Sequence, residues 1–229
     1  MVQRKRPIDR EMDEIYRKVI EMGSIAQKSI LLAVESFKEL DKEKAKKVFE
    51  MDKEIYCMSI EIEQKTLELI ALRAPVAGDL RKVGTIMKII TNIARIGRYA
   101  SDIAEVTVGL EQTEHFKNET SLTRMAELVV QMVNISLNAF MQSSKEKINE
   151  LNRMEEEVDE LFDRTFKEVF TYVSDDPKKM RTGIAHSFVA RYLERVGDHA
   201  QEIMERVSYM VSGERIIHDV KGMSCKKSG

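Results

Sequence analysis

The segment NIARIGRYASDIAE, residues 92–105, returns one hundred positions later as YLERVGDHAQEIME, residues 192–205. Arg, Gly, Ala, Ile and Glu recur at the same places in the two segments. A recurrence at one fixed spacing is typical of a chain that contains two copies of one structural unit. In a chain of 229 residues this favours two small units that share one core.

Apolar residues elsewhere recur three and four positions apart, as at Leu122, Met125, Val129 and Met132, and no segment shows a convincing strand pattern. The same spacing continues through residues 151–170. It predicts long amphipathic helices, each with a single apolar stripe. We predict six helices, at residues 8–38, 42–72, 76–112, 119–141, 145–173 and 177–212.

The boundaries of these helices follow from a few capping and breaking residues. Pro75 and Pro177 stand at matching places in the two halves, and each can open the next helix. Asp41 is expected to cap the second helix, and the pair Ser143-Ser144 to cap the fifth. Short connections make consecutive helices antiparallel neighbours, so the predicted fold is all-α, a tandem of two antiparallel three-helix bundles. The bundles are expected at residues 8–112 and 116–212, followed by a flexible tail at 213–229.

Charge and hydropathy limit the functions of the chain. Charged residues make up 33% of it, but the formal net charge is only −2, which argues against nonspecific nucleic-acid binding because such binding needs a basic surplus. The N-terminus lacks the apolar run of a signal peptide, and the longest uncharged stretch, residues 128–144, is too short and polar to span a bilayer. We therefore expect a soluble, cytoplasmic protein that approaches a membrane only through its partners.

The second copy of the repeat carries carboxylates that the first copy lacks. Glu194 and Asp198 lie four residues apart in the sixth helix, and Glu155 and Asp159 have the same spacing in the fifth, so each pair shares one helix face. In an antiparallel hairpin, residues equidistant from the turn lie side by side, and all four carboxylates are predicted at one level of the bundle. Carboxylates this close repel strongly unless they are protonated or neutralised.

Two interpretations of this acidic stripe follow from the residues. On spacing alone, a solvated helix face with intrahelical salt bridges is the more typical explanation, because charged residues are common throughout the chain. The other is a metal site for Mg²⁺, Mn²⁺ or iron, which suit oxygen ligands, whereas zinc normally prefers His or Cys as well. His186 and His199 are nearby, but neither has a convincing ligand spacing, and both are expected to be ordinary polar surface residues.

Three longer stretches carry a family resemblance: LERVGDHAQEI at 193–203, RMEEEVDELFD at 153–163, and APVAGDLRKVGTIMKIITNIARIG at 74–97. They resemble the PhoU family of phosphate-signalling proteins, and the resemblance extends over about residues 8–212 in both halves. It implies a tandem of three-helix bundles, in agreement with the helical periodicity.

The resemblance favours the metal site over the solvated face in the second half. The family's E(D)xxxD motifs bind metal ions or small metal clusters on the bundle surface. The positions that match these motifs are Glu155, Asp159, Glu194 and Asp198. A divalent or trivalent ion is therefore expected there, with iron, manganese or magnesium favoured over zinc.

The first half departs from this pattern. Its corresponding positions are Asp52, Tyr56, Ala94 and Arg98, and it is not expected to bind metal because only Asp52 is a carboxylate. The hairpin argument places Asp52 opposite Arg98. Either Arg98 supplies a built-in cation where the other half uses a metal, with Ala94 making room and Asp102 sharing the charge, or the site is lost and Arg98 is simply exposed.

The resemblance also implies a function. PhoU-like proteins are not enzymes in the usual sense. They link a phosphate ABC transporter to a membrane sensor kinase and keep the phosphate-starvation response off when phosphate is plentiful. For this chain it implies the transporter's ATPase subunit and the sensor histidine kinase as partners, and a homodimer. The sequence agrees with a non-catalytic role, because it has no Gly-rich phosphate loop, nucleophile elbow or HExxH motif.

Two other classes of function remain open. A carboxylate-bridged metal cluster in a helical bundle can be redox-active or hydrolytic, but a di-iron oxidase needs Glu-x-x-His pairs that the sequence does not supply in the required arrangement. The third class is a purely structural helical interaction protein. In that case Glu194→Ala and Asp198→Ala would change neither metal content nor partner binding.

Overall fold

The computed structural model describes residues 6–111 and 120–214. Within these ranges the chain forms six α-helices and one 3₁₀ turn and contains no strand, which confirms the predicted all-α class. The helices are α1 (Pro7–Glu39), α2 (Lys42–Arg73), α3 (Ala77–Gly109), α4 (Thr120–Gln142), α5 (Ile148–Asp175) and α6 (Met180–Ser212), and the 3₁₀ turn is Pro177–Lys179.

The six helices form two bundles that share one core. Helices α1, α2 and α3 pack against one another, as do α4, α5 and α6, and each set is an antiparallel three-helix bundle, as predicted. The bundles are joined because α3 also packs against α6 and α1 against α4. Buried apolar side chains from all six helices form one continuous cluster, whose removal from water is the main stabilising contribution. Among the described residues, no helix combines the length and the apolarity that crossing a bilayer requires.

Helix ends follow the sequence signals in part. Asp41 caps α2 as predicted, since its carboxylate accepts hydrogen bonds of 2.9 and 3.1 Å from two amides of the first turn. The prediction that Ser143-Ser144 caps α5 is wrong. The amide of Ser144 donates to the carbonyl of Ala139 at 3.0 Å, so this pair ends α4. Helix α5 therefore begins at Ile148 rather than at the predicted residue 145.

The two prolines precede the helices by more than was predicted. Ala74 ends α2 in the left-handed conformation, with φ 44°, and α3 begins only at Ala77, two residues after Pro75. Pro177 opens the 3₁₀ turn and not α6 itself. A residue before proline avoids the right-handed helical region, which explains why α2 stops where it does. Four predicted features lie outside the described residues: the bundle boundaries at 112 and 116, the helix start at 119, and the tail from 215 onward.

The two copies of the repeated segment lie side by side where α3 packs against α6. His199 Nδ1 of the second copy lies 3.0 Å from Asn92 Oδ1 of the first copy. The same two positions in the opposite copies are occupied by Tyr99 and Tyr192, whose rings stack with their centroids 6.0 Å apart. Tyr99 and His199 hold equivalent positions in the two copies and stack on each other at 5.7 Å. Exchanged contacts of this kind define an approximate two-fold axis between the bundles, and the repeated segment lies on it.

Gly97 and Gly197 hold equivalent positions in the repeat but have different surroundings. A Cβ on Gly97 would lie 2.8 Å from Cδ1 of the fully buried Ile55, whereas a Cβ on Gly197 would have no neighbour closer than 3.7 Å. Alanine is better than glycine by about 1 kcal/mol inside a helix. We expect Gly197→Ala to raise the free energy of unfolding by roughly 0.5–1 kcal/mol, and Gly97→Ala to lower it by about 1–2 kcal/mol because Ile55 must shift.

Urea unfolding of the two variants beside the parent chain measures this difference. Each variant serves as the other's control, because both introduce the same methyl group into equivalent helices. Equal stabilisation by the two substitutions would contradict the close approach of α3 to α2 at Gly97.

Candidate functional site

The four carboxylates predicted as metal ligands lie on the α5–α6 hairpin. Glu155 and Asp159 belong to α5, Glu194 and Asp198 belong to α6, and the two helices pack against each other. Burial raises the pKa of Glu155 above its ordinary value, and Asp159 and Asp198 raise it further. Burial also raises the pKa of Asp159, again with a contribution from Asp198. The hairpin therefore brings the two pairs of carboxylates close enough to interact electrostatically, as predicted from their equal distances from the turn.

Two arginines of α6 partly neutralise this carboxylate cluster. Arg191 Nη1 donates to Glu194 Oε1 at 2.7 Å, and Arg195 Nη1 donates to Asp198 Oδ2 at 2.8 Å. The second oxygen of Glu194, Oε2, is buried and accepts no hydrogen bond, and Arg195 Nε lies 3.6 Å away. Burial raises the pKa of Glu194, with a further contribution from Asp198, although both arginines act in the opposite direction. These arginines were not predicted as part of the site, although their spacing of three from the carboxylates was a usable signal.

The cluster has the negative charge and the ligand oxygens that a hard cation requires. Glu194 carries a buried oxygen without a donor, and Glu155 and Asp159 form no ion pair with any residue in the described ranges. Mg²⁺, Mn²⁺ or iron would supply the missing positive charge through oxygen ligands. As the side chains stand, no three acidic, His or Cys residues in the described part of the chain are close enough to share an ion. Binding would therefore draw carboxylates away from Arg191 and Arg195, and the metal site stays a prediction.

Replacing Glu155 by glutamine is expected to stabilise the metal-free protein at pH 7 by roughly 0.5–1 kcal/mol. The pKa of Glu155 is raised in the folded protein above 4.5, so the folded state holds this proton more tightly than the unfolded state. Ionisation of Glu155 therefore lowers stability as the pH rises from about 4.5 through the folded pKa. The advantage of Glu155→Gln should appear over that interval and vanish at lower pH.

Chelator-treated protein unfolded in urea at several pH values tests this effect. Glu160→Gln, at an exposed position of the same helix, is the control and should leave the stability nearly unchanged. A stabilisation by Glu155→Gln that persists well below pH 4 would contradict an origin in carboxylate repulsion.

The corresponding positions of the first bundle hold an ion pair. Arg98 Nη1 lies 3.0 Å from Asp52 Oδ2, which is the pair predicted from the hairpin argument. Only 10% of the Asp52 side chain is exposed, so burial raises its pKa, while Arg98 acts in the opposite direction. Arg98 also opposes the rise that burial causes in the pKa of Asp102, in keeping with a shared charge. Tyr56 is exposed and Ala94 is half-buried. That this pair takes the place of a metal stays a prediction.

The expectation that both histidines are surface residues is wrong. His186 is only 3% exposed, its Nδ1 lies 2.9 Å from the Thr182 carbonyl oxygen, and its ring meets Phe37 edge-on at 4.8 Å. His199 lies between the two bundles against Asn92, with 17% of its side chain exposed. Burial lowers the pKa of both imidazoles. Both side chains thus contribute to packing.

An apolar groove of about 680 Å³ continues from the carboxylate cluster toward the α5–α6 turn, and we call it the α5–α6 groove. The prediction of a single apolar stripe on α5 is wrong in part. Val158, Leu161 and Val169 face the core, whereas Phe166 and Phe170 are 56% and 75% exposed. The aromatic and aliphatic side chains that line the groove come from both helices: Phe162, Phe166, Phe170, Met180, Ile184 and Phe188.

Comparison with known proteins assigns this fold to a family. The family model of the PhoU domain matches the chain twice, at residues 19–107 and 122–207. The chain belongs to the PhoU family. One match lies within α1–α3 and the other within α4–α6, so each bundle corresponds to one PhoU domain.

Relatives and solved structures match over nearly the full length. The phosphate-specific transport system accessory protein PhoU homolog of Clostridium acetobutylicum is 32% identical over 207 residues, which cover 90% of this chain and 94% of that protein. The crystal structure of PhoU from Pseudomonas aeruginosa is 28% identical, with a TM-score of 0.85 and coverage of 90% and 99%. The phosphate transport system regulatory protein PhoU of Streptococcus pneumoniae has the same TM-score, 25% identity and coverage of 92% and 100%.

Proposed function

We propose that this chain is a non-enzymatic accessory protein of a phosphate transport system, and that it restrains phosphate uptake and phosphate-starvation signalling. The observation that carries the proposal is the double match to the PhoU domain, one in each bundle. The resemblance covers 90% of this chain and 94% of the accessory protein of Clostridium acetobutylicum, so it extends over both bundles.

The proposed mode of action is that of an adaptor. The chain links the ATPase subunit of a phosphate ABC transporter to a sensor histidine kinase, and it acts as a homodimer. Helices of 28 to 33 residues in both bundles give it long rigid surfaces for two partners at once. The α5–α6 hairpin, with a carboxylate cluster beside an exposed apolar groove, is the part of this surface best suited to binding.

A metal ion is part of the proposal for the second bundle only. Iron, manganese or magnesium would be held by Glu155, Asp159, Glu194 and Asp198 and would neutralise their repulsion. In the first bundle the Asp52–Arg98 ion pair supplies the positive charge within the chain.

Affinity purification of the tagged chain from phosphate-replete cells, with metal content measured on the same sample, tests the proposal. Recovery of the transporter ATPase together with bound metal is the expected result. Cells that express the tag alone provide the control. Failure to recover either the ATPase or the kinase, from a chain that is folded and abundant, would contradict the adaptor role.

The competing enzymatic function has its own assay. The metal-loaded protein should show neither oxidase nor phosphatase activity above that of the Glu194→Gln variant. Turnover that depends on both the metal and Glu194 would contradict the non-enzymatic adaptor function and would indicate a carboxylate-bridged metalloenzyme.

A further inference from the structure

The α5–α6 groove exposes five large apolar side chains along one face of the second bundle. Phe166 is 56% exposed, Phe170 75%, Met180 50%, Ile184 47% and Phe188 50%. Soluble proteins rarely leave contiguous apolar patches in water unless the patch binds something. These five side chains lie outside the buried apolar cluster that the two bundles share.

The equivalent face of the first bundle is less apolar. The offsets that pair the carboxylate positions, 103 between α2 and α5 and 100 between α3 and α6, also pair the groove positions. Of the five equivalent residues, three are exposed and are polar or lack a side chain, namely Glu63, Gly84 and Lys88. The other two, Leu67 and Leu80, are apolar and 52% and 50% exposed. Both bundles therefore expose apolar side chains at two of these positions, but only the second bundle is apolar at all five and has an aromatic ring at three of them.

Charge changes sharply along the groove. Around its Phe162 end lie five carboxylates and two guanidinium groups, so negative charge remains even with a divalent ion bound: Glu155, Asp159, Asp163, Glu194 and Asp198 against Arg191 and Arg195. At the opposite end, the formal charges of the turn between the helices cancel, because Asp175 and Asp176 are matched by Lys178 and Lys179.

We propose that the α5–α6 groove binds an amphipathic α-helix of a partner protein, with large apolar residues three and four apart in the groove and Lys or Arg residues reaching the carboxylates. The apolar wall on α5 runs from Phe162 to Val173, about 16 Å at 1.5 Å per residue, which matches three turns of a bound helix. Anchors at this spacing are the usual means by which a helix binds a groove. This assignment rests on the adaptor function and names the surface that carries it.

The charge pattern selects this occupant over the two alternatives. A second copy that docked groove to groove would bring the turn, or another acidic end, against the carboxylates. The one arginine beside that turn, Arg181, already pairs with Glu111 at 3.8 Å. A membrane surface rich in anionic lipids would repel the acidic end. A basic amphipathic helix complements both halves of the face, and electrostatic complementarity of this kind favours its encounter and orientation.

Calorimetric titration with two purified probes tests the proposal: the phosphate transporter's ATPase subunit and the cytoplasmic region of the sensor kinase. Phe166→Ala/Phe170→Ala should weaken binding of one probe by at least about 30-fold, the loss typical of central interface anchors. The control is Leu67→Ala/Leu80→Ala in the first bundle, whose side chains are similarly exposed at 52% and 50%, and it should leave the affinity unchanged. Asp163→Asn, outside the predicted ligand set, should weaken the same probe by about threefold at low salt.

Each other result overturns the proposal in a distinguishable way. Unchanged affinity of the groove variant for a probe that the parent chain binds would leave the adaptor function standing and remove the groove from it. Dissociation of a dimer by the groove variant, seen by sedimentation, would assign the groove to a second copy. Loss of binding to phosphatidylglycerol–phosphatidylethanolamine vesicles would assign it to a membrane. If the parent chain binds neither probe, the adaptor function fails and the groove assignment fails with it.

Discussion

Mn²⁺ is expected to raise the free energy of unfolding of the chelator-treated protein by about 2.7 kcal/mol at a free concentration of about 100 times its dissociation constant. For a chain of this size the increase corresponds to a shift of about 5–10 °C in Tm. The physical reason is that the folded protein concentrates four carboxylates, with an oxygen of Glu194 buried and lacking a donor, whereas the unfolded chain does not. Thermal unfolding monitored by circular dichroism, with and without Mn²⁺, measures the shift.

Two matched variants locate this effect in one bundle. Glu194→Gln/Asp198→Asn should abolish the Mn²⁺-dependent shift, because it removes the charges of the α6 pair. Asp52→Asn should leave the shift intact, because the corresponding position of the first bundle is already paired with Arg98 at 3.0 Å. A shift that survives the α6 substitutions, or that Asp52→Asn halves, would show that the ion binds elsewhere.

Phe140→Ala is expected to lower the free energy of unfolding by about 3–5 kcal/mol. Phe140 of α4 is completely buried, and its ring lies 4.5 Å from the ring of Tyr16 in α1. The substitution therefore opens a cavity and removes an aromatic contact that joins the two bundles. Close packing at this seam is also evident at Gly23, where a Cβ would collide with Leu137.

Met141→Ala provides the control for this substitution, because the neighbouring side chain is 45% exposed and should contribute less than about 1 kcal/mol. Urea unfolding of both variants gives the comparison. A similar small loss from the two substitutions would contradict the description of α1 and α4 as a tightly packed seam between bundles.

The fold could be predicted because one physical signal dominates it. Apolar spacing of three and four specified long helices, and the repeat of residues 92–105 at 192–205 specified the duplication. Helix ends were less predictable. Ser143 and Ser144 have the chemistry of an N-cap, but the same residues can satisfy the last carbonyls of the preceding helix, and the sequence does not distinguish these outcomes.

The position of the site along the hairpin could be predicted from the sequence, but the hydrogen-bond partners of its carboxylates could not. Equal distance from the turn brought the four carboxylates together and paired Asp52 with Arg98. Distance from the turn does not show that Arg191 and Arg195 donate hydrogen bonds to Glu194 and Asp198, because those bonds depend on which rotamers the neighbouring helix allows.

The α5–α6 groove was missed for a related reason. Phe166 and Phe170 follow the core residues Thr165 and Val169 by one position, which places them about 100° around the helix. Periodicity alone merged these two faces into one broad stripe. A stripe wider than one core face requires was the available signal, and Glu63, at the position equivalent to Phe166 in the first bundle, would have sharpened it.

The central claim is that two bundles of one fold differ in their chemistry, with a cation site in the second and a built-in arginine in the first. Metal content per chain, measured by mass spectrometry on protein from cells, tests it most directly. Glu155→Gln/Glu194→Gln should reduce bound metal to background, and Asp52→Asn should leave it at the level of the parent chain. Metal that is unaffected by the α5–α6 substitutions, or that falls by half in Asp52→Asn, would contradict the claim.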